Sequence, residues 1–179
     1  MTDRARLYGG SLYDLAAEEN LTDTIKLQMQ QIRQLFAEEP AYTGLLGNPA
    51  VSLDERLQLI EEAFGSQAER YVVSFLKLLC ERGLLWEFAG CCEEFTRRYN
   101  EDNGIAEALV TSAVPLSDAQ QDALTAKLEK ISGKRVSLSV RIDPGVLAGL
   151  RVEMEGRQFD GTVAGRVAGI SKGLKELVV

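Results

Sequence analysis

The chain has 179 residues, of which 45% are hydrophobic, and it carries a formal net charge of −7 with a pI near 4.8. This length suits one large domain or two compact ones. The acidic charge argues against a nucleic-acid-binding protein, because neutralising phosphates requires clustered Lys and Arg, and it disfavours an anionic membrane surface for the same reason.

Apolar residues repeat at helical spacing from the N-terminus to about Asn103, which predicts an all-helical domain over residues 1–103. Five apolar stripes mark its main helices: Tyr8, Leu12 and Leu15; Ile25, Met29, Ile32 and Phe36; Leu53, Leu57, Ile60 and Phe64; Val72, Leu76 and Leu79; and Phe88, Cys92, Phe95 and Tyr99. A short further helix is predicted over 41–46. Because the loops between them are short, we expect a compact six-helix bundle.

Local signals place the ends of these helices. Pro40 ends the second stripe, and Gly47-Asn48-Pro49 ends the short helix. Two capping boxes mark helix starts, Ser52 with Glu55 and Ser66 with Glu69. Gly65 and Gly83 are predicted to end the helices that carry the third and fourth stripes.

The periodicity changes at Asn103-Gly104, which predicts a small second domain over 104–179 with the order β-α-β-β-α. The predicted strands cover 107–113, 136–142 and 146–154, a helix capped by Ser117 and Gln120 follows the first strand, and a last helix covers 163–178. Asp143-Pro144-Gly145 has the residues of a tight turn. We therefore expect the second and third strands to form a central hairpin.

The side-chain inventory argues against catalysis by this chain. Histidine, the residue most used for proton transfer and for binding transition metals, is absent. Cys80, Cys91 and Cys92 are too few to pair completely, so we expect reduced thiols that pack in the core of a cytosolic protein. Paired carboxylates are frequent, but neighbours along a helix diverge. No phosphate-binding loop, membrane span or signal peptide is expected, and we predict no catalytic residue, no metal ligand and no cofactor.

Glycine recurs at every fourth position from Gly161 to Gly173. On a helix this spacing makes a groove that allows close approach of another backbone. Packing against the domain's own sheet and packing against a partner helix both remain open.

A spaced pattern in the second domain resembles a known family. The pattern is Val136-x-Leu138-x3-Ile142-Asp143-x2-Val146-x-Ala148-Gly149-Leu150-x-Val152-Glu153-x-Glu155. It resembles the signature of the delta subunit of bacterial F-type ATP synthases. The mitochondrial relative of this subunit is the oligomycin-sensitivity-conferring protein. The segments 5–16 and 160–166 are similar to the family's opening helix and to the segment before its last helix, so the resemblance covers essentially the whole chain. Gly9 and Gly10 depart from it, because the family usually has alanine there.

The resemblance implies a non-catalytic stator subunit. In that family the N-terminal six-helix domain lies on top of the catalytic head and holds the N-terminal helix of an alpha subunit. The C-terminal domain binds the C-terminal ends of the b subunits, so that the head does not rotate. The expected location is the cytoplasmic face of the bacterial plasma membrane, as a peripheral part of the complex, with no nucleic acid bound and no direct insertion into the bilayer.

The motif positions also nominate partner-binding residues. We expect an amphipathic partner helix to lie in a groove between the first and fifth helices. The nominated residues are Tyr8 and Leu78, with Leu12, Phe75 and Leu79 beside them. The alternative is that these residues simply pack, because a helix inside a bundle is apolar on nearly every side.

Two other function classes remain open from the sequence. One is a helical RNA-binding or antitermination module, since helical bundles also serve that role. The other is a small enzyme that uses thiol or carboxylate chemistry.

Overall fold

The structure is a computed structural model that describes residues 1–145 and 150–160, without the side chains of residues 159 and 160. The chain divides into two compact units, Met1–Tyr99 and Asn100–Val179, which we call the helical unit and the sheet unit. The described part is mostly helical with one small mixed sheet of four strands. The boundary at 103 and 104 stays a prediction, and the predicted last helix with its glycine series lies outside the described residues.

Six α-helices and one 3₁₀ turn occupy residues 3–102. They are α1 Asp3–Glu18, α2 Thr22–Glu38, α3 Pro40–Gly47, α4 Leu53–Phe64, α5 Arg70–Glu81, the 3₁₀ turn Leu85–Glu87 and α6 Phe88–Asp102. Each apolar stripe of the sequence falls within one of these helices, and the short helix begins at Pro40, whose fixed φ suits a first helical position.

One predicted capping box is present and the other is wrong. Ser52 and Glu55 cap α4 reciprocally, as predicted. Residues 65–68 instead continue as a turn after α4, where the amide of Ala68 donates to the Phe64 carbonyl at 2.9 Å. The amide of Glu69 donates to the side chain of Gln28 in α2 at 2.9 Å, so a tertiary contact replaces the expected local cap at α5.

Aromatic side chains from four helices meet in the core of the helical unit. Phe36 of α2 contacts Phe88 of α6 and Phe64 of α4, with ring centroids 5.4 and 6.3 Å apart and edge-to-face geometry. Tyr42 of α3 lies 6.2 Å from the Phe36 ring. Such pairs add to the free energy of area burial, so this cluster fixes how the helices pack.

The sheet unit contains β1 Ile105–Ser112, α7 Asp118–Ser132, β2 Arg135–Ile142, β3 Leu150–Met154 and β4 Arg157–Asp160. The strand order is β2-β1-β3-β4, with β1 parallel to β2 and antiparallel to β3. Ser117 and Gln120 form the predicted capping box of α7. One face of the sheet, with Val110 at its centre, packs with Leu128 of α7.

The predicted central hairpin is wrong. β1 lies between the second and third strands, which are therefore not hydrogen-bonded neighbours. The amide of Asp143, one residue past β2, donates to the Ser112 carbonyl at the end of β1 at 2.8 Å. β3 lies on the other side of β1, and its first residue, Leu150, pairs with Ser112. Alternating polarity indicates strands and their faces but not which strands are neighbours, so the sequence pattern did not reveal this order.

A hairpin does occur one connection later, between β3 and β4. Met154 pairs with Arg157, so Glu155 and Gly156 form a two-residue turn. Both have positive φ, 49° and 73°. This is the type I′ geometry that matches the twist of the flanking strands, and glycine suits its second position.

Candidate partner-binding groove

A groove of about 230 Å³ lies between α1 and α5 in the helical unit, and we call it the α1–α5 groove. Its lining residues are Tyr8, Ser11, Leu12 and Leu15 from α1 and Tyr71, Ser74, Phe75 and Leu78 from α5. In each helix these four residues follow the spacing i, i+3, i+4, i+7, which places them on one face. The lining carries hydroxyl groups and no charged side chain, so the groove is suited to an apolar helix face.

The structure brings four of the five nominated residues together in this groove. Leu12 and Phe75 are buried at its floor, and Leu78 is 36% exposed at its rim. Tyr8 is partly buried. Leu79 has no exposed surface and does not line the groove, so it supports α5 from the core. The assignment of these residues to a partner stays a prediction.

Four lining residues were not among those predicted from the sequence: Ser11, Leu15, Tyr71 and Ser74. Helical spacing alone identifies them, because Leu15 follows Tyr8 by seven positions and Tyr71 precedes Leu78 by seven. Leu15 was already part of the first stripe. The sequence shows which residues share a face of α1 or of α5. It does not show that these two faces lie next to each other, which only the structure reveals.

Close backbone contact holds α1 against α6. A Cβ atom added to Gly9 would lie 2.5 Å from the carbonyl oxygen and 2.9 Å from the Cα of Cys91. A Cβ added to Gly90 would lie 2.8 Å from the Cβ of Ala5. Glycine at these positions allows the two helices to approach closely, and this explains the departure from alanine at Gly9.

A buried carboxylate strengthens the same helix pair. Glu94 of α6 has no exposed side-chain surface and accepts hydrogen bonds from Arg97 at 2.6 Å and from Arg98 at 3.1 Å. Arg98 also binds Asp14 of α1 at 2.7 Å. The hydrogen bond from Arg97 is the main cause that lowers the pKa of Glu94, while burial opposes it. A Cβ on Gly10 would lie 2.5 Å from Nη2 of Arg98, so glycine also makes room for this guanidinium.

The core face of α5 fixes the other wall of the groove. Val72, Leu76 and Leu79 are fully buried on that face. Phe75, on the adjoining face, lies 6.4 Å from the Phe88 ring and so joins the groove floor to the aromatic cluster. With both helices anchored by their opposite faces, the α1–α5 groove is preformed, which reduces the ordering cost of binding.

The cysteines are suited to packing. All three thiols are buried and unpaired with one another. Burial is the main cause that raises the pKa of Cys91 and of Cys92 to about 12, and the carboxylate of Glu87 adds to the effect at Cys91. Thiols with such pKa values are protonated at neutral pH, whereas nucleophilic and metal-binding cysteines act as thiolates.

Within residues 1–145 and 150–160, no cluster of three or more His, Cys, Asp or Glu side chains is placed to bind a metal ion. None of the helices described there has the length and apolar character needed to cross a membrane.

Comparisons with known proteins agree over nearly the whole chain. The family model for the ATP synthase delta (OSCP) subunit matches residues 5–174. The ATP synthase subunit delta of Desulfitobacterium hafniense strain DCB-2 is 31% identical over 170 residues, covering 95% of both chains. That of Lactiplantibacillus plantarum is 29% identical over 171 residues, covering 95% of this chain and 94% of the relative. A chain in the cryo-EM structure of the Toxoplasma gondii mitochondrial ATP synthase hexamer has the same fold, with a TM-score of 0.74, 18% identity and coverage of 97% and 98%.

Proposed function

The chain belongs to the ATP synthase delta (OSCP) family, and from that premise we propose that it is a non-catalytic stator subunit of the proton-translocating F-type ATP synthase. Its role is to connect the catalytic head to the peripheral stalk so that the head does not rotate with the rotor. The α1–α5 groove is the single observation that carries this proposal beyond family membership. A preformed apolar groove without charged lining is suited to holding another helix.

The helical unit is proposed to bind the N-terminal helix of an alpha subunit. We assign α1–α6 to the family's six-helix domain and residues 104–179 to its C-terminal domain. An amphipathic helix that lies along the groove would place its apolar residues between Leu12 and Phe75 on the floor and Tyr8 and Leu78 at the rim. The i, i+3, i+4, i+7 spacing on both walls supports this placement, because the apolar residues of an amphipathic partner helix recur with the same spacing.

The sheet unit is proposed to bind the C-terminal ends of the b subunits. Ser112 and Ile142 pair at the end of the sheet where β1 and β2 both finish. Ile142 and Val114 are large apolar side chains exposed near that end. Exposed apolar groups of this kind are suited to burial under a partner and support a contact there.

Two contacts in one chain suit a stator. Each interface is modest, but binding at one raises the effective concentration at the other, so dissociation becomes slow. In this proposal the chain is a peripheral component on the cytoplasmic face of the bacterial plasma membrane, and the chemistry takes place in the head subunits.

The alternative functions have less support. A helical RNA-binding module would need a basic surface, whereas the net charge is −7. A thiol enzyme would need a lowered cysteine pKa, whereas burial raises the pKa of all three thiols.

A peptide titration tests the groove. The full chain is titrated with a peptide of the alpha-subunit N-terminal segment from the same organism. We expect Leu78→Asp and Tyr8→Asp each to weaken binding about tenfold or more, because each puts a charge into the apolar contact between the groove and the bound helix. Circular dichroism of each variant checks that the fold is kept.

Leu27→Asp is the matched control. Leu27 is an exposed leucine on α2 that does not line the groove, so the same change of charge and size should leave the affinity unchanged. Equal affinity of Leu78→Asp and the unmodified chain would contradict the groove assignment. Equal losses in Leu78→Asp and Leu27→Asp would indicate a general charge effect.

Assembly is tested separately. The tagged chain is incubated with detergent-solubilised membranes and recovered. Recovery of a membrane ATPase is the expected result, and recovery of the chain alone would contradict the stator role.

A further inference from the structure

The two walls of the α1–α5 groove carry the same pattern of side chains. Each helix contributes, in chain order, a tyrosine, a serine, a large apolar residue and a leucine at the spacing i, i+3, i+4, i+7. These residues are Tyr8, Ser11, Leu12 and Leu15 in α1 and Tyr71, Ser74, Phe75 and Leu78 in α5. The two walls therefore offer equivalent contacts to a bound helix.

The two helices run in opposite directions along the groove. Glu87, shortly after the end of α5, accepts a hydrogen bond of 2.7 Å from Thr2 at the start of α1. At the other end, a hydrogen bond to Tyr71 is the main cause that raises the pKa of Arg70 at the start of α5, and the carboxylate of Glu19 at the end of α1 adds to it. Because the walls are antiparallel, the lining is alike from both ends and does not by itself favour one direction of a bound helix.

Exposed charges distinguish the two ends. A helix face continues three or four positions along the chain, so residues one turn beyond the lining flank the same groove. The charged residues at these positions are Glu18 and Glu19 beyond the end lined by Leu15 and Tyr71, and Arg4, Glu81 and Arg82 beyond the end lined by Tyr8 and Leu78. We call the first the acidic end and the second the basic end, after the sign of the net charge of these residues.

Other charges near the groove are paired or balanced. The pairs are Asp14 with Arg98 of α6 at 2.7 Å, Lys77 with Glu61 of α4 at 2.7 Å, and Asp3 with Arg6 at 3.7 Å. Glu69 and Arg70, which are neighbours at the start of α5, have opposite charges. The dipoles of antiparallel helices oppose each other at each end of the groove. The acidic end and the basic end therefore account for most of the charge difference along the groove.

We propose that these charges set the direction in which the partner helix lies in the groove. The partner helix carries a basic side chain beside one end of its apolar stripe and an acidic side chain beside the other. It lies with the basic side chain at Glu18 and Glu19 and the acidic one at Arg4 and Arg82. This assignment rests on the proposed function, since it concerns the helix that the groove holds. A reversed helix would place like charges together at both ends, and such repulsion is a source of specificity.

Two designed peptides test the direction. Both have blocked termini and the same helical sequence with an apolar stripe at i, i+3, i+4, i+7. The first has lysines before the stripe and glutamates after it, and the second has the reverse order. Each carries a nitroxide label at its N-terminus, and the broadening of the backbone amide resonances of the full chain is recorded. Arg4 and Glu19 are about 22 Å apart along α1, so the two ends can be distinguished.

The lysines should lie at the acidic end in both complexes. The label of the first peptide should therefore broaden the resonance of Glu19 more than that of Arg4, and the label of the second should do the opposite. Exposed ion pairs are individually weak, but several act together here. At about 0.01 M salt we expect the favoured direction to exceed the other about tenfold, and at about 1 M salt the preference should be largely lost, because the charges are screened.

A charge-exchanged variant tests the residues. It combines Arg4→Glu and Arg82→Glu with Glu18→Arg and Glu19→Arg, which keeps the net charge and leaves the lining unchanged. All four positions are exposed, so the fold should be kept, and circular dichroism checks this. The variant should reverse the direction of both peptides. The matched control, Asp122→Lys with Lys127→Asp, exchanges two exposed charges on α7 in the sheet unit and should leave both directions unchanged.

The direction and the groove assignment can fail separately. Opposite directions for the two peptides in the unmodified chain, reversed by the charge exchange, support the proposal. The same direction for both peptides, or an equal mixture of directions at low salt, would overturn it while leaving the groove as a binding site. The absence of saturable binding by either peptide would overturn it as well, and the alpha-subunit peptide then decides independently whether the proposed function holds.

Discussion

The helical unit packs aromatic and long aliphatic side chains between helices, whereas the described core of the sheet unit packs non-aromatic side chains between one helix and one face of a sheet. In the first, Phe88 contacts rings from two other helices. In the second, Ala108 and Val110 of the central strand pair with Met154 and Val152. The two units therefore depend on different features: the first on the fit of large side chains and the second on strand register.

This difference predicts where each unit is sensitive to substitution. Helix packing is sensitive where two backbones approach, as at Gly9 and Cys91, because neither backbone can shift without moving a whole helix. The sheet is sensitive where turn geometry sets the register, as at Glu155 and Gly156. Substitutions of known size in each unit can break or sharpen this distinction.

The largest effect is expected for Phe88→Ala. Removing a buried ring from the aromatic cluster should cost about 3–5 kcal/mol of unfolding free energy, because a cavity remains. Trp86→Ala, two residues earlier, removes a ring that is mostly exposed and should change it little. Thermal unfolding measures the change in unfolding free energy of each variant. Amide exchange should show that protection is lost in α2 and α5, whose rings contact Phe88. Equal loss of protection in the sheet unit would show that both units unfold together.

The next effect is expected for Gly9→Ala. The new methyl group would lie 2.5 Å from the Cys91 carbonyl oxygen, so α1 has to move. Overpacking of this kind costs up to about 3 kcal/mol. Gly44→Ala is the matched control, because its new methyl group meets nothing within 4 Å and should stabilise the helix by about 0.5–1 kcal/mol. Denaturant unfolding measures both, and a neutral Gly9→Ala would contradict the close packing of α1 on α6.

Helix existence was predictable from sequence because the apolar period of each stripe is a local property. Every predicted stripe of the helical unit falls within one observed helix. Strand order was not predictable in the same way, since alternation along β2 is the same whether its neighbour is β1 or β3. The two-residue turn at Glu155 was also missed, because glutamate is an uncommon residue at positive φ.

The candidate site was predictable only in part. The positions of Tyr8 and Leu78 came from a family motif, and the structure adds the facing residues Leu15 and Tyr71. Leu79 was nominated beside Leu78, although its place in the fourth apolar stripe already indicated the core. It lies one position from Leu78, yet it is fully buried in the core while Leu78 reaches the surface.

An intermediate effect is expected for Glu94→Gln in the helical unit. Losing the charge weakens the hydrogen bonds from Arg97 and Arg98, at a cost of about 2 kcal/mol near pH 7. Because the pKa of Glu94 is lower in the folded state than in the unfolded one, its stabilisation is complete above the unfolded pKa and is lost as the pH falls through the folded pKa.

The pH profile separates this effect from packing. Between pH 7 and pH 3 the unmodified chain should lose more stability than Glu94→Gln, so the two curves should converge at low pH. Glu93→Gln removes a mostly exposed carboxylate one position away and should leave the slope nearly unchanged. Parallel curves for the unmodified chain and Glu94→Gln would contradict the ion pairs of the buried Glu94 carboxylate with Arg97 and Arg98.

The smallest effect is expected in the sheet unit, for Gly156→Ala. Gly156 has φ of 73° in the β3–β4 turn, and a Cβ at such a φ costs about 1 kcal/mol. Gly156→Asn should lose less, because asparagine tolerates this region better. Amide exchange should show reduced protection of β3 in both variants, while the protection of α2 and α5 remains unchanged. If alanine and asparagine were equivalent, backbone conformation would not be the cause. If α5 lost protection too, register in the sheet and packing in the helices would not be separate sources of stability.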